Sequence, residues 1–260
     1  MSDLEHLPAQ LKRLGLHTMA TMFEEEALKA SKTGISYVAF LSRLVEEELA
    51  AKVDRSVNAR IAKAKLPMLS TLEQFDFSFQ PSLPVARVRE LAELGFMERA
   101  ENILFVGRPG VGKTHLAVAL ALRACQHRKR VLFLSALDLI YQLTAAEVSR
   151  TLPRLIENCG KLDLLVVDEL GYTPINDQAA TLFFQLINHL YTRTAVIITT
   201  NVAFDGWGAV FGGNDVIASA ILDRLLHHSH VFLITGPSYR MKGKLDQAVD
   251  QPAASEYNRA

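Results

Sequence analysis

The chain has 260 residues, 49% hydrophobic and 22% charged, and its 28 basic and 28 acidic side chains cancel. That is a globular composition with no bulk charge to draw nucleic acid or an anionic membrane, so either partner would have to meet a local patch. Two cysteines are too few for a disulfide framework and fit a reducing cytoplasm, and the acid-bearing N-terminus and lack of any ~18-residue apolar run mark neither a signal peptide nor a membrane span.

Residues 1–70 read as a small helical domain. Leu4, Leu7, Leu11 and Leu14 recur at spacings of three and four, giving one apolar stripe that Gly15 ends. Met19, Met22, Phe23 and Ala27 open a second helix. Ser36 then caps a third, with Phe40, Leu41, Leu44, Val45 and Leu49 on its buried side and an extension towards Pro67. The acidic run Glu46–Glu48 and the basic run Arg55, Arg60, Lys63 and Lys65 read as solvated helix surface.

Pro81 and Pro84 mark an extended connector, "FDFSFQPSLP", before a short helix from Val85 to Leu94. Between residues 71 and 245 five apolar runs, "NILFV", "RVLFL", "LLVV", "AVIIT" and "VFLIT", alternate with helical stretches. That alternation predicts an α/β domain built on five parallel strands. Residues 246–260 read as a disordered tail.

The first of those strands leads into "GRPGVGKTHLA". Gly107, Gly112, Lys113 and Thr114 satisfy G-x-x-x-x-G-K-[ST], for which the chain's own composition gives roughly 0.003 chance matches. A phosphate-binding loop is therefore predicted over Gly107, Pro109, Gly110, Val111, Gly112, Lys113, Thr114 and His115. The glycines let successive N–H groups face phosphate oxygens, and the helix that follows adds its positive end. Lys113 would neutralise β/γ oxygens and Thr114 would offer a hydroxyl to Mg²⁺.

The third strand, "LLVVDELG", ends in two adjacent acids. Asp168 is predicted to hold Mg²⁺, while Glu169 would polarise a water for attack on the γ-phosphorus. The second acid disfavours a kinase, and the lack of an N-K-x-D motif disfavours GTP, leaving ATP hydrolysis. The strand exit "IITTN" offers Asn201 or Thr200 as the polar group between γ-phosphate and that water.

With "GRPGVGKTHLA", "LLVVDELGYTP", "IITTN" and "ILDRLLHHSHVFLITGPSYR" in this order, the chain closely resembles the IstB-type ATPases of IS21-type transposons. It is similar more distantly to the helicase loaders of the DnaC and DnaI kind, within the initiator/loader clade of AAA+ ATPases. The resemblance implies a sheet ordered 5-1-4-3-2, with the acids on the strand beside the loop strand. It implies that Arg224 completes a neighbouring copy's site, that Arg240 senses nucleotide, and that Phe75 and Phe77 line the adenine pocket. Relatives commonly carry Arg-Arg-Tyr-Glu before the fourth strand. Here it is "HLYT", with Leu190 and Thr192 in place of charges.

Between Arg123 and Lys161 seven cations face three acids. Lys129, Arg130, Arg150 and Arg154 are the candidate duplex-DNA contacts, and by resemblance the stretch "DLIYQLTAAEVSRTL" forms an extra helix tracking phosphates without reading bases. His227, His228 and His230 read as structural histidines rather than zinc ligands, because their spacing turns them to different faces. The expected function is an ATP-dependent homo-oligomer on duplex DNA that recruits a transposase. The rivals are a DnaC-type helicase loader and an ATP-switched DNA-binding module without appreciable hydrolysis.

Overall fold

The computed structural model describes residues 3–241; the tail expected over 246–260 lies outside them. Contacts divide the chain into two compact units, up to Ala59 and from Arg60 onwards, a division that falls within the helix Tyr37–Ala64. No helix among the described residues is long and apolar enough to cross a membrane.

The first unit holds α1 (Asp3–Arg13), α2 (His17–Thr33) and most of α3 (Tyr37–Ala64). Ser36 Oγ caps α3 by accepting the Ala39 N–H at 3.2 Å. The core is small: Met19, Phe23 and Leu44, with Leu11 and Phe40 against them. The stripe expected to be buried on α3 is so only in part, since Leu41, Val45 and Leu49 are exposed. Glu48, expected on the surface, is instead 2% exposed. Helix α2 begins after Leu16, which offers no capping side chain. Glu48 reaches across from α3 and accepts the orphan N–H groups of Thr18 at 2.7 Å and Met19 at 2.9 Å. Arg55, also expected to be solvated, neutralises it at 2.8 Å. Burial opposes ionisation of Glu48, but the two amides and Arg55 together hold its carboxyl below the usual range.

The second unit continues with a 3₁₀ turn (Phe77–Phe79), α4 (Val85–Leu91), α5 (Gly95–Glu98), β1 (Asn102–Gly107), α6 (Lys113–Gln126) and β2 (Val131–Ser135). Then come α7 (Ala136–Val148), α8 (Leu152–Gly160), β3 (Leu164–Leu170), α9 (Asp177–Leu190), β4 (Ala195–Thr200), α10 (Trp207–Val210), α11 (Asp215–Leu226) and β5 (Ser229–Ile234). A last 3₁₀ turn covers Tyr239–Met241. All pairings are parallel and the order is β2-β3-β4-β1-β5, as expected. One implied detail fails: β4 lies between β3 and β1, so the acids are one strand removed from the loop strand.

Alternation along the strands fills both faces. Ile103 and Phe105 pack with Leu116 and Leu120 of α6, while Leu104 joins Leu143, Phe183 and Trp207 on the other side. Burial pushes the Cys125 thiol up to about 11 and raises that of Cys159, so neither is a ready thiolate.

The stretch Asp138–Leu152 is not one helix. Ser149 Oγ donates back to Ala145 O at 2.8 Å, and Arg150 takes a left-handed φ of 58°. Pro153 then supplies the fixed φ that starts α8.

Candidate functional site

The nucleotide-type cleft opens where β1 ends and α6 begins. Gly112 has φ +97° and a Cβ there would lie 2.5 Å from the Phe75 ring, while Gly110 has φ +82° and no room against Ser238. Both positions therefore need glycine. Tyr239 N donates to Gly110 O at 2.8 Å, fastening the segment after β5 to the loop and bringing Arg240 to the cleft wall.

Lys113, 6% exposed, donates to Gly107 O at 2.6 Å and Arg108 O at 2.9 Å. Burial lowers its pKa, Asp168 opposes that, and Arg240 adds to it. Val111 and His115 share the wall; His115 Nε2 pairs with Thr71 O at 2.8 Å and its ring stands edge-on to Phe75 at 5.3 Å. Gly107 contributes its carbonyl rather than a wall surface, and Pro109 is exposed and off the wall. Phe75 lines the cleft, whereas Phe77 backs it at 4.8 Å and packs against the core.

The two acids do not simply end β3. Val167 pairs with Ile198 and Leu170 with Thr200, so Asp168 and Glu169 together oppose the single residue Thr199. That is a β-bulge. In a regular strand adjacent side chains face opposite sides, and the extra residue re-aims one of them. Glu169 takes φ +61°, a left-handed conformation costing about 1–2 kcal/mol for a residue with a Cβ. The result places Glu169 on the same cleft wall as Lys113 and Thr114.

Thr199 holds this arrangement and was not singled out by the sequence. It is fully buried, donates to Asp168 Oδ1 at 2.5 Å and accepts the Glu169 N–H at 2.9 Å. Thr114 Oγ1 donates to the same carboxylate, at 2.9 and 3.1 Å. Asn201 is exposed in the turn beyond β4 and off the cleft wall, and Thr200 bonds within that turn to Val202. "IITTN" offers three consecutive polar residues, and only the bulge across the strand decides which meets the acids. Tyr172 also lines the cleft, its pKa raised by burial first and then by Glu169, with Arg240 opposing. Gln80, 2% exposed, donates from Nε2 to Pro237 O at 2.8 Å, stapling the connector to the segment that carries Arg240.

Hydroxyl and carboxylate oxygens from Thr114 and Asp168, adjacent and hydrogen-bonded, form the hard donor set that suits Mg²⁺.

Arg224 lies elsewhere. Asn102, the first residue of β1, donates from Nδ2 to Leu225 O at 3.0 Å, which ties the end of α11 to the start of the sheet. The phosphate loop follows the last residue of the six-residue β1, about 17 Å away at 3.3 Å per residue. Arg224 therefore does not share a phosphate with Lys113 of its own chain.

The candidate DNA cations fall in two places. Lys129 and Arg130 precede β2, and Arg130 is committed to Asp163 through Nε at 3.1 Å and Nη2 at 2.9 Å. Arg150 and Arg154 are exposed at the break between α7 and α8. Of the histidines, His227 pairs with the Tyr191 hydroxyl and His230 with Glu101 at 2.9 Å; no metal-ligating group of three occurs among the described residues.

The family described as IstB-like ATP binding protein matches residues 9–247. The insertion sequence IS21 putative ATP-binding protein of Pseudomonas aeruginosa is 43% identical over 94% of this chain and 91% of its own. The IS5376 counterpart of Geobacillus stearothermophilus is 40% identical, covering 92% and 95%. Among solved structures, AMPPCP-bound DnaA from Aquifex aeolicus superposes with a TM-score of 0.56 at 22% identity, over 70% of this chain and 56% of that one, a likeness of fold.

Proposed function

Because the chain belongs to the IstB-like ATP-binding proteins of IS21-type insertion sequences, a P-loop AAA+ family, we propose that it is an ATP-hydrolysing helper of transposition. In this reading ATP and Mg²⁺ assemble copies of it on duplex DNA, the assembly recruits the transposase of the same element, and hydrolysis releases it. The observation that supports hydrolysis rather than mere binding is the bulge, which turns Glu169 into the cleft beside the Thr114–Asp168 pair. A protein that only bound ATP would have no use for that strained second acid.

The residues divide the work by position. Backbone N–H groups of Gly110 to Lys113 cradle the phosphates, and the ammonium of Lys113 neutralises the β/γ oxygens. Thr114 and Asp168 would hold Mg²⁺, which supplies charge neutralisation of the phosphates when bound. Glu169 accepts a proton from the attacking water as its oxygen bonds to the γ-phosphorus and the bond from that phosphorus to the β–γ bridging oxygen breaks, with ADP as the leaving group. Phe75 offers an apolar face to the base. Arg224, too far from its own cleft, serves the cleft of the next copy, which makes turnover depend on assembly.

Glu169→Gln should lower ATP turnover by roughly 10²–10⁴-fold, the usual value of a general base. ATP binding should persist, and the protein should stay on duplex DNA after ATP is added, measured by phosphate release alongside filter retention. Wild-type turnover in that variant, or ATP-dependent assembly on DNA by Lys113→Ala, would sink the proposal. Affinity capture with the full-length chain, comparing the element's transposase with the replicative helicase, identifies the client.

A further inference from the structure

Arg224 is not a freely waving arginine. Its Nε donates to Asn188 Oδ1 on α9 at 3.0 Å, and one terminal nitrogen reaches Asp223 at 3.1 Å. Its guanidinium lies over the ring of Tyr191, 5.2 Å from the centroid. The Tyr191 hydroxyl is in turn hydrogen-bonded to His227 Nδ1, and the two rings are stacked with centroids 5.9 Å apart. Tyr191 itself is fixed by its neighbours. Leu190 before it is 1% exposed, and Thr192 after it takes φ +59°, reversing the chain.

Such a cluster could serve stability or orientation, and the magnitudes favour orientation. The Arg224–Asp223 pair is open to solvent, at 34% and 75% side-chain exposure, and exposed pairs contribute little to folding. What the cluster does fix is direction. One face of the guanidinium is covered by an aromatic ring, the Nε edge is taken by Asn188, and Nη2 makes no hydrogen bond among the described residues.

We infer that Tyr191, together with Asn188, is a positioning residue for Arg224, holding it extended before a neighbouring copy arrives. This rests on the reading of Arg224 as serving the adjacent cleft. An arginine free in solution loses rotamer freedom when it docks; one already seated on a ring and an amide has lost it beforehand.

The test uses full-length protein in an ATPase assay at assembling concentrations. Tyr191→Ala and Asn188→Ala should each reduce kcat by roughly tenfold with KM for ATP unchanged, while Tyr191→Phe, which keeps the ring face, should lose far less. Asn188 is exposed, so its substitution tests the idea even if Tyr191→Ala folds poorly. Mixing Tyr191→Ala with Glu169→Gln should restore activity, because intact arginines on the second variant then face intact clefts on the first. Unchanged kcat in both alanine variants would overturn the inference. So would failure of that mixture to recover while Arg224→Ala mixed with Glu169→Gln does recover. If neither mixture recovers, the trans-acting arginine itself is wrong, and the inference falls with it.

Discussion

The Thr199 hydroxyl donates a hydrogen bond to Asp168 and accepts one from the Glu169 N–H, so one buried oxygen sets both acids. Hydrogen bonds to charged groups contribute about 1.5–3 kcal/mol, enough to balance the left-handed backbone at Glu169. Thr199→Val keeps the shape and removes the hydroxyl. It should lower ATP turnover by roughly 10–100-fold with ATP affinity nearly intact, and Thr199→Ser should restore most of it; equal turnover in the Val variant, read in a steady-state assay, would refute this role. The phosphate loop is legible in the sequence because its chemistry depends on residue types at fixed spacing. Thr199 is not, because its role depends on a register shift in a strand thirty residues away.

The same distinction separates the helices. The existence of α1, α2 and α3 follows from local periodicity, and Ser36 announces the start of the third. Glu48 cannot be found that way, since its partners Thr18 and Met19 lie on another helix and the need it meets is an uncapped N-terminus. Glu48→Ala should therefore destabilise the helical unit by about 1–3 kcal/mol, the cost of stranding buried donors, seen as an earlier thermal transition by circular dichroism. The pH dependence has a definite sign. A carboxyl with a depressed folded pKa stabilises above its ordinary value of 4.5 and loses that contribution as pH falls through the lower folded value. Glu48→Gln should flatten that acid-side loss; an unchanged acid transition would show that Glu48 does not control it. The break between α7 and α8 hides in the sequence for a related reason: helix formers surround Ser149–Thr151, and only Pro153 hints at it.

For the whole molecule, strand number and sheet order are legible, because apolar runs mark the strands and the order follows from the family likeness. Charge is less so. Counting cations as far as Lys161 stops two residues short of Asp163, which neutralises Arg130. Arg150→Ala and Arg154→Ala should each reduce the salt slope of duplex-DNA binding by about 1, whereas Arg130→Ala should change it much less. Equal slopes for all three variants, from affinities measured across a salt series, would contradict this. The separation of Arg224 from its own cleft along the length of β1 has a last consequence. In the proposed assembly, copies joined arginine-to-cleft would stack like cups, each with a giving end and a receiving end. An open row of that kind would have one fewer finished catalytic centre than it has members, carry a bare arginine at one tip and an unserved cleft at the other, and so tell left from right along an otherwise symmetric duplex.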